Sequence, residues 1–368
     1  MKNILFIVNH LKNGGIEQVL LDYVLLLKND YNITVLSIYH SESYYQSEIN
    51  KQVKYFSLDI LRTKIKMHLL KSVYSRLFDR ISIQKLLVKK FIKKNLYETI
   101  IAFSDGTSIE LTASIFPKNF KKIAWVHTDF LEDEHIINYK KLRSLYNKFD
   151  EVIFVSNKLK QKFEKKLHIS KSLLIYNPLN IKRFQLSHNE NKLPINKFNF
   201  IAIGRLSWEK GFDRIIKSYY KLPDSIKKTC HLFIIGDGPE QNNLRKLIQI
   251  CNLEENITLT GYVANPFNQY RQANVLLVPS RFEGFGLVII EALYNGIPVI
   301  ATQTTGANEI LCNGKYGVLL KNTDTAFDDI LLEVYKNPSL IYRYKDTMQQ
   351  ALLRFNIENI KEQLLQVL

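Results

Sequence analysis

Short apolar runs alternate with amphipathic segments along most of the chain. Residues 3–9, 99–103 and 121–127 are apolar runs of the length of a buried strand, whereas residues 16–28 carry apolar side chains at helical spacing. Strands that alternate with helices in this way are typical of parallel sheets covered by helices. The pattern therefore predicts an α/β fold.

The alternation falls into two blocks. The Asn177-Pro178 turn and the polar residues 187–192 interrupt it, and a second series of strands begins at Phe198. We therefore expect two doubly wound, Rossmann-like domains that face a cleft. The expected bounds are residues 1–185 for the first domain and 186–350 for the second.

The most informative stretch follows an apolar run, residues 275–278, in the second block. It reads Pro279-Ser-Arg-Phe-Glu-Gly-Phe-Gly-Leu-Val-Ile-Ile-Glu-Ala292. A buried strand should end at Pro279, a Gly-rich turn should follow, and a helix should begin near Gly286 and stop at Gly296. The stretch is thus a turn between the carboxyl end of a strand and a helix.

The side chains and amides of this turn suit a nucleotide sugar. Glu283 lies in the loop after the strand, and Glu291 lies about two turns into the helix. The free amides of Gly284, Phe285 and Gly286 should form a helix N-terminus that favours an anion. Carboxylates suit sugar hydroxyls and amides suit phosphate, so both parts of such a ligand find partners.

A second loop of the same kind lies within residues 199–211, which predict a strand, a loop and a helix start. Arg205 and Lys210 stand at the two ends of the loop. The planar guanidinium of Arg205 can fork onto phosphate oxygens, and the ammonium of Lys210 supplies a compact charge. Together the two cations would neutralise a departing diphosphate.

The first block offers weaker candidates. Gly14 and Gly15 stand between the first strand and its helix, but they do not form Gly-x-Gly-x-x-Gly, so a nicotinamide site is poorly supported. His127 closes a predicted strand, where open α/β sheets carry their ligands. Asp129 belongs to an acidic cluster with residues 132–134. The cluster has no Asp-x-Asp on a strand end, so we expect a loop at the cleft rim rather than a metal site, with Asp129 as a possible acceptor contact.

Positive charge is concentrated in one segment. The net charge is +16, and residues 61–95 hold eleven Lys or Arg against the single acid Asp79, a local charge of +10. Apolar residues recur there at helical spacing, which predicts a pair of amphipathic helices. Two interpretations stay open: a surface that lies on anionic lipid, or a core-packing helix pair with a solvated basic face.

The remaining composition describes a globular protein of a reducing compartment. The three cysteines show no metal-like spacing and no even disulfide set. No apolar run approaches the roughly 18 residues of a membrane span, and residues 1–8 are too short for a secretory signal. We therefore expect a cytoplasmic protein that does not cross a bilayer.

The two charged loops resemble the donor site of the family 4 glycosyltransferases, retaining enzymes of the GT-B fold. The resemblance rests on Glu-x7-Glu within residues 279–292 and on Gly-Arg followed by Lys-Gly within residues 204–211. Further turns are similar to the family's glycine loop, Gly-x-Gly-Pro turn and base-binding strand end. The resemblance implies that the donor is held by Gly14, Gly15, Arg205, Lys210, Gly236, Tyr262, Glu283, Gly284, Phe285, Gly286, Leu287 and Glu291.

The same resemblance assigns roles. It implies that the first domain binds the acceptor and that the second binds the nucleotide sugar. It implies that His127, Arg205, Lys210 and Glu283 act at the reacting centre. It further implies that a C-terminal helix within residues 351–368 returns to the first domain, and that no metal or other cofactor is required.

The expected function is retaining transfer of a hexose or N-acetylhexosamine from a nucleotide-diphosphate sugar, UDP above all. The expected acceptor is a lipid-linked saccharide of bacterial surface polysaccharide, lipopolysaccharide or glycan biosynthesis, reached from the inner face of the cytoplasmic membrane. Three alternatives remain: a nucleotide-sugar epimerase of the same fold, a basic nucleic-acid-binding protein, and a membrane scaffold without transfer activity. A nucleic-acid role would leave both charged motifs unused, so no nucleic-acid partner is expected.

Overall fold

The computed structural model describes residues 1–60, 75, 77–115, 120–132, 138–181 and 196–368. Its chain forms two compact units. Unit 1 comprises residues 1–178 with 360–368, and unit 2 comprises residues 179–359. The boundaries thus fall after Pro178 and Asn359, where the sequence suggested residues 185 and 350. The predicted α/β class with two doubly wound units is confirmed.

Unit 1 is built on a parallel sheet. In its described part the strand order is β3-β2-β1-β4-β5-β6-β7. The strands are β1 (Asn3–Val8), β2 (Asn32–Ser37), β3 (Lys54–Ser57), β4 (Thr99–Ala102), β5 (Lys121–Val126), β6 (Glu151–Phe154) and β7 (Ser172–Leu174). The helices between them are α1 (Gly15–Leu27), α2 (Tyr44–Gln52), α3 (Ile81–Lys94), α4 (Thr107–Ala113), α5 (Tyr139–Tyr146) and α6 (Asn157–Leu167).

Unit 2 repeats the architecture with the strand order β10-β9-β8-β11-β12-β13 in its described part, again all parallel. Its strands are β8 (Phe198–Ile203), β9 (Cys230–Ile235), β10 (Ile257–Gly261), β11 (Val275–Val278), β12 (Val299–Thr302) and β13 (Val318–Leu320). Its helices are α7 (Phe212–Tyr220), α8 (Asp224–Lys227), α9 (Gln241–Ile250), α10 (Phe267–Arg271), α11 (Leu287–Tyr294), α12 (Thr305–Ile310), α13 (Ile330–Lys336), α14 (Ser339–Tyr342) and α15 (Met348–Leu352).

The last helix, α16 (Ile357–Val367), begins in unit 2 and ends in unit 1. Within unit 1, Lys361 pairs with Asp30 at 2.8 Å, and the Lys121 ammonium donates to the Val367 carbonyl at 2.8 Å. Ile360 and Leu364 are buried. The C-terminal residues are therefore part of the packing of unit 1.

The sheets are apolar on both faces because helices cover both sides. Four of the six β1 residues, Ile4 to Ile7, have no exposed surface. Leu5 and Ile7 share a buried cluster with Val88 and Ile92 of α3. Burial of such side chains is the main favourable term in folding, at about 25 cal/mol per Å² of apolar surface.

Two local details depend on the structure rather than on the sequence pattern. The polar, Tyr-containing connection between the second and third strands includes α2, which Ser43 caps by accepting from the Gln46 amide at 3.1 Å. The sequence suggests a further helix from about Thr323, but that helix begins only at Ile330, after a series of turns. The expected helix pair is described only as α3 with residues 75 and 77–78 before it, since residues 61–74 and 76 lie outside the described ranges.

Each sheet reverses its strand order once, between β1 and β4 in unit 1 and between β8 and β11 in unit 2. At such a switch point, two neighbouring loops leave the carboxyl ends of the strands in opposite directions, and ligands of open α/β sheets bind in the crevice between them. Both charged motifs of the sequence follow the two switch-point strands of unit 2. No described helix is long and apolar enough to cross a membrane.

Glycines allow the loops at this edge of unit 2 to touch one another. A Cβ on Gly236 would lie 1.9 Å from the Gly204 carbonyl oxygen, and one on Gly211 would lie 2.2 Å from the Pro279 carbonyl oxygen. A Cβ on Gly306 would lie 1.9 Å from the Phe285 carbonyl oxygen. Real Cβ atoms do not approach so closely, so larger residues would push the loops apart.

We expect Gly306→Ala to destabilise unit 2 by about 1–3 kcal/mol, as overpacking does. Gly306 lies in α12, where alanine alone would favour the helix by about 1 kcal/mol. The loss would therefore come from the contact with Phe285. Urea unfolding followed by circular dichroism measures it.

The matched control is Gly296→Ala. Nothing lies within 4 Å of a Cβ there, and its φ of 71° puts only backbone strain on an alanine, about 1–2 kcal/mol. A Gly306→Ala protein as stable as wild type would contradict the packing argument.

Candidate functional site

The β8–α7 loop of unit 2 carries two cations. Arg205 is exposed and makes no ion pair with any other residue in the described ranges. A short 3-10 helix, Trp208–Lys210, follows, and Gly211 then takes a left-handed φ of 67° to start α7. This turn points Lys210 to the neighbouring loop, where its Nζ lies 2.5 Å from Glu283 Oε2.

The β11–α11 loop supplies the carboxylate of that pair. Glu283 Oε2 also accepts from the Ser280 hydroxyl at 3.4 Å, and the Glu283 carbonyl accepts from the Gly306 amide at 2.8 Å. The Glu283 side chain is only 12% exposed, and that of Lys210 is 25% exposed. Partial burial strengthens the attraction between the two charges, so the pair fixes both side chains.

Unpaired amides follow directly. Gly286 has a left-handed φ of 103° and caps α11 without a side-chain hydrogen bond. The amides of Gly284, Gly286 and Leu287 donate to no other group in the described part of the chain. Helix N-terminal amides carry a partial positive charge and favour anions. This edge of unit 2 therefore combines cations, free donors and one carboxylate.

Glu291 lies deeper, on the second turn of α11. It is 6% exposed, and its Oε2 accepts from the Tyr270 hydroxyl at 3.0 Å. Tyr270 is fully buried on α10. The two carboxylates of Glu-x7-Glu thus have different surroundings: Glu283 is paired with a cation, and Glu291 is held by a phenol.

The turns after β9 and β10 pack against the charged loops. Gly236 contacts the backbone of Gly204, as described above, and its amide donates to the Gly261 carbonyl at 2.9 Å. A Cβ on Gly238 would lie 2.3 Å from the Leu206 carbonyl oxygen. Tyr262 follows β10 immediately. The glycines of this turn therefore have a steric role in placing the Arg205 loop.

In unit 1 the β1–α1 loop brings a carboxylate to its glycines. His10 Nδ1 lies 3.0 Å from Glu17 Oε1, and Glu17 is buried in the first turn of α1. Its Oε2 lies 2.6 Å from the position of a Cβ on Gly14. Gly14 has extended backbone, and Gly15 begins the helix. An acidic side chain in the first turn suits the helix dipole.

His127 follows β5 and is 5% exposed, packed against Phe103 with ring centroids 4.7 Å apart. Burial lowers the pKa of His127 to about 3, and a hydrogen bond to the Phe103 backbone partly opposes this shift. Its Nε2 has no hydrogen-bond partner in the described residues. Because burial disfavours the charged form, His127 is neutral near pH 7.

Asp105, which follows β4, holds the His127 loop in place. Its Oδ2 accepts from the amides of His127 at 3.2 Å and Thr128 at 3.0 Å, and from the Thr128 hydroxyl at 2.7 Å. Burial of this carboxyl raises its pKa to about 6, and the three hydrogen bonds oppose that shift. Asn9 donates to the Asp105 carbonyl at 2.6 Å, which links the loop to β1.

Asp129 is tied to a neighbouring helix. Both of its carboxylate oxygens lie 2.9 Å from the ammonium of Lys162 on α6. Two of the other three members of the acidic cluster, residues 133 and 134, lie outside the described ranges, as do residues 135–137. Among the described residues no group of three or more His, Cys, Asp or Glu is placed to hold a metal ion.

Comparison with known proteins gives this geometry a context. The chain is 27% identical to an uncharacterized glycosyltransferase of Methanocaldococcus jannaschii over 74% of this chain and 79% of that protein. It is 26% identical to the N-acetylgalactosamine-N,N'-diacetylbacillosaminyl-diphospho-undecaprenol 4-alpha-N-acetylgalactosaminyltransferase of Campylobacter jejuni, covering 92% and 93% of the two chains. The crystal structure of Anabaena HepE in complex with UDP-glucose has a TM-score of 0.78 at 20% identity and covers 100% of this chain and 99% of that one.

The sequence model of the family described as glycosyl transferases group 1 matches residues 184–351, nearly the whole of unit 2. Unit 2 therefore matches the group 1 glycosyl transferases, the family that the two charged motifs resemble. Its two units are the Rossmann-like domains of the GT-B fold, so the predicted family and fold are both confirmed.

The glycosyltransferase brings together only part of the predicted set. Arg205, Lys210, Glu283 and the amides up to Leu287 lie on adjoining loops at one edge of unit 2. Glu291 lies deeper on the same helix. Gly236 and Tyr262 lie on the neighbouring turns of unit 2, and Gly14, Gly15, His127 and Asp129 belong to unit 1. The roles of all these residues stay predictions.

Sequence reasoning missed Asp105, Glu17 and Tyr270. Asp105 stands in Ser104-Asp-Gly106 at the carboxyl end of a strand, so the rule that flagged His127 could have flagged it. Glu17 could have been noticed as a first-turn acid beside a glycine loop. Nothing local distinguishes Tyr270, because its contact with Glu291 joins residues from different elements.

A pH-dependent loss of stability should reveal the neutral His127 of this glycosyltransferase. The pKa of His127 is lowered in the folded chain, so the unfolded chain takes up a proton first as the pH falls below 6.5. Compared with His127→Gln, wild type should lose about 2 kcal/mol of unfolding free energy between pH 7 and pH 5. Urea titrations at several pH values measure the difference.

The comparison of wild type with His127→Gln isolates the contribution of His127 to the unfolding free energy. Asp105, whose pKa is raised to about 6, contributes in the opposite sense: its stabilisation is present at low pH and is lost as the pH rises through 6. This contribution is common to both proteins and cancels in the difference. Parallel curves for wild type and His127→Gln would contradict a buried, neutral histidine.

Proposed function

We propose that this glycosyltransferase moves a hexose or N-acetylhexosamine from a UDP-sugar to a lipid-linked saccharide, with retention at the anomeric carbon and without a metal ion. The observation that carries the proposal is the arrangement at the switch point of unit 2. Lys210 and the unpaired amides at the start of α11 stand beside the carboxylate of Glu283, and Arg205 stands on the same loop as Lys210. This set matches a diphosphate joined to a polyhydroxylated ring.

The cations and amides stabilise the leaving group. As the bond between the anomeric carbon and the phosphate oxygen breaks, the electron pair goes to the diphosphate. Arg205, Lys210 and the amides of Gly284 and Gly286 donate to the oxygens on which this charge develops. They thereby replace the divalent ion that diphosphate chemistry often uses, which supports a reaction without metal.

The two carboxylates bind different hydroxyls. Glu283 accepts from hydroxyls of the transferred sugar, next to the phosphate cations. Glu291 accepts from ribose hydroxyls, since it stands on the second turn of α11 with the Tyr270 phenol fixing one of its oxygens. The nucleotide would then lie along the helix, with its sugar end at Glu283.

Retention follows most simply from attack on the face that the diphosphate leaves. Glu283 Oε2 is held by the Lys210 ammonium at 2.5 Å, which makes it a poor nucleophile for a covalent intermediate. The acceptor hydroxyl oxygen bonds to the anomeric carbon, and its proton passes to the departing phosphate oxygen. No residue needs to form a covalent bond with the sugar.

The choice of donor and acceptor draws on the relatives. Anabaena HepE was crystallised with UDP-glucose. The Campylobacter jejuni relative is named for a diphospho-undecaprenol acceptor, a lipid-linked saccharide. Both support a UDP-sugar donor and an acceptor at a membrane surface for this chain, in surface polysaccharide, lipopolysaccharide or glycan synthesis.

The outer face of α3 supports contact with the inner face of the membrane. Val88 and Ile92 of this helix are buried, whereas Lys90, Lys93 and Lys94 are exposed. Leu86 is 67% exposed on the same face. Lysines around an outward leucine suit an anionic lipid surface, to which each cation adds about 1 kcal/mol.

A ligand screen tests the donor site. Purified protein is heated with UDP-, GDP-, ADP- and dTDP-sugars, with and without EDTA. A donor present at a hundred times its dissociation constant should stabilise the fold by about 2.7 kcal/mol, and EDTA should change neither this shift nor turnover. Lys210→Ala should lose the shift and lower turnover of the identified donor about 10²–10³-fold.

Lys217→Ala is the matched control. Lys217 also pairs with a carboxylate of unit 2, Asp213 at 3.2 Å, but it is exposed on α7 away from the loop. Its removal should leave the shift intact. Normal turnover in Lys210→Ala would remove this residue from the site, and loss of activity in EDTA that a divalent ion restores would refute the metal-free reaction.

A flotation assay tests the membrane face. Replacement of Lys90, Lys93 and Lys94 by Glu should lower binding to phosphatidylglycerol vesicles at least about 10²-fold, given about 1 kcal/mol per lysine. The control replaces three exposed lysines elsewhere in unit 1, Lys140, Lys148 and Lys165, which changes the net charge equally. Equal loss in both variants would show a general effect of charge, and no loss in either would exclude α3 as the contact.

A further inference from the structure

Two aromatic side chains stand exposed on the loops that carry Lys210 and Glu283. Trp208 is 59% exposed and Phe282 is 38% exposed. Their ring centroids lie 5.9 Å apart, with the planes tilted by 43°. We call these two residues the aromatic pair. Large aromatic rings usually bury most of their surface, so a pair that shares one exposed surface calls for an explanation.

The aromatic pair is held rigidly. The Glu209 carbonyl accepts from the Arg281 amide at 2.7 Å and the Phe282 amide at 3.4 Å, which ties the two loops together. The Arg281 guanidinium lies 4.8 Å from the Trp208 ring centroid and donates to the Trp208 carbonyl at 2.9 Å. Its nitrogens also make paired bonds to Asp213 at 2.8 and 3.0 Å.

This support fixes the rings before any ligand arrives. The Arg281 side chain is only 10% exposed and occupies one face of Trp208, so the indole cannot turn freely. Binding to such a surface requires little loss of side-chain entropy. Fixed aromatic rings are the usual anchors of binding sites for this reason.

The charges around the aromatic pair are balanced. Four basic and four acidic side chains lie on its two loops, at the start of α7 and at the adjoining Asp324. The basic ones are Arg205, Lys210, Arg214 and Arg281, and the acidic ones are Glu209, Asp213, Glu283 and Asp324. An anionic lipid surface would find no net positive charge here, unlike at α3. The surroundings suit a neutral ligand with an apolar face and hydroxyl groups, which describes a sugar ring.

The position along the proposed donor selects the ligand further. Trp208 is two residues from Lys210, and Phe282 precedes Glu283, so the aromatic pair stands on the two loops that the proposed function assigns to the phosphate and sugar end of the donor. Glu291, the proposed ribose contact, lies on the second turn of α11. A nucleobase would therefore lie away from the aromatic pair.

We propose that the aromatic pair stacks against a sugar ring of the saccharide acceptor and holds it beside the transferred sugar. The proposal rests on the function proposed above and adds the subsite for the acceptor. The C–H groups of a sugar ring face lie on Trp208 and Phe282, while its hydroxyls point to the charged side chains around them. The acceptor class is a neutral saccharide rather than a bare lipid phosphate.

Intrinsic fluorescence provides a direct test, because the chain has two tryptophans and Trp125 is fully buried. The emission that disappears in Trp208→Phe belongs to Trp208. The experiment compares the methyl glycosides of glucose, galactose, N-acetylglucosamine and N-acetylgalactosamine. We expect at least one of them to shift the Trp208 emission. Vesicles of brominated phosphatidylglycerol should leave it unquenched.

Kinetics then test the role in transfer. With the methyl glycoside that shifts the emission as acceptor, Trp208→Ala and Phe282→Ala should each raise its KM about tenfold. Trp208→Phe should restore most of the loss, since it keeps an aromatic face. Tyr220→Ala is the matched control: Tyr220 is 52% exposed in unit 2 and carries Lys227 over its ring at 5.3 Å, and its removal should change nothing.

The outcomes separate this proposal from the proposed function. Stabilisation by a UDP-sugar without any response of Trp208 to the glycosides would overturn the acceptor subsite and leave the donor site standing. Quenching by brominated lipid would assign the aromatic pair to the membrane instead. A Trp208 response to glycosides in a protein that no nucleotide sugar stabilises would support the subsite while refuting the donor.

Discussion

The close backbone contact between loops at the carboxyl edge of unit 2 is the constraint on which the candidate site depends. Lys210 and Glu283 are 73 residues apart in the chain, yet their side chains lie 2.5 Å apart. They meet because β8 and β11 are neighbours at the switch point and because Gly211 leaves room for the Pro279 carbonyl oxygen. Without that glycine the β8–α7 loop would stand away from Glu283, and the cation would lose its partner.

The two units differ in the groups that they carry at the carboxyl ends of their strands. Unit 2 offers the cations and unpaired amides described above, beside the carboxylate of Glu283. Unit 1 offers the carboxylates of Asp105 and Glu17 after its switch-point strands, and His127 after β5, whose Nε2 has no hydrogen-bond partner in the described residues. Cations and free amides favour phosphate oxygens, whereas carboxylates favour hydroxyl groups.

Most of the architecture could be predicted because periodicity and glycine turns are local. The strand that ends before Pro279 and the start of α11 after Gly286 agree with expectation. The candidate residues on the two charged loops could be identified from the sequence because both loops directly follow predicted strands. The Asp105 bonds to the His127 loop and the Tyr270 contact with Glu291 could not be predicted, because they join elements whose spatial order the sequence pattern leaves open.

The two glutamates of the motif show why spacing alone does not assign roles. Glu283 stands in a loop, where a cation and a hydroxyl share one of its oxygens, so its position follows the β8–α7 loop. Glu291 stands on a helix, 6% exposed, with a fully buried phenol as a partner, so its position follows the core. A change in the loop would move the first carboxylate and leave the second in place. The motif thus couples a carboxylate whose position depends on a neighbouring loop to one whose position depends on the core.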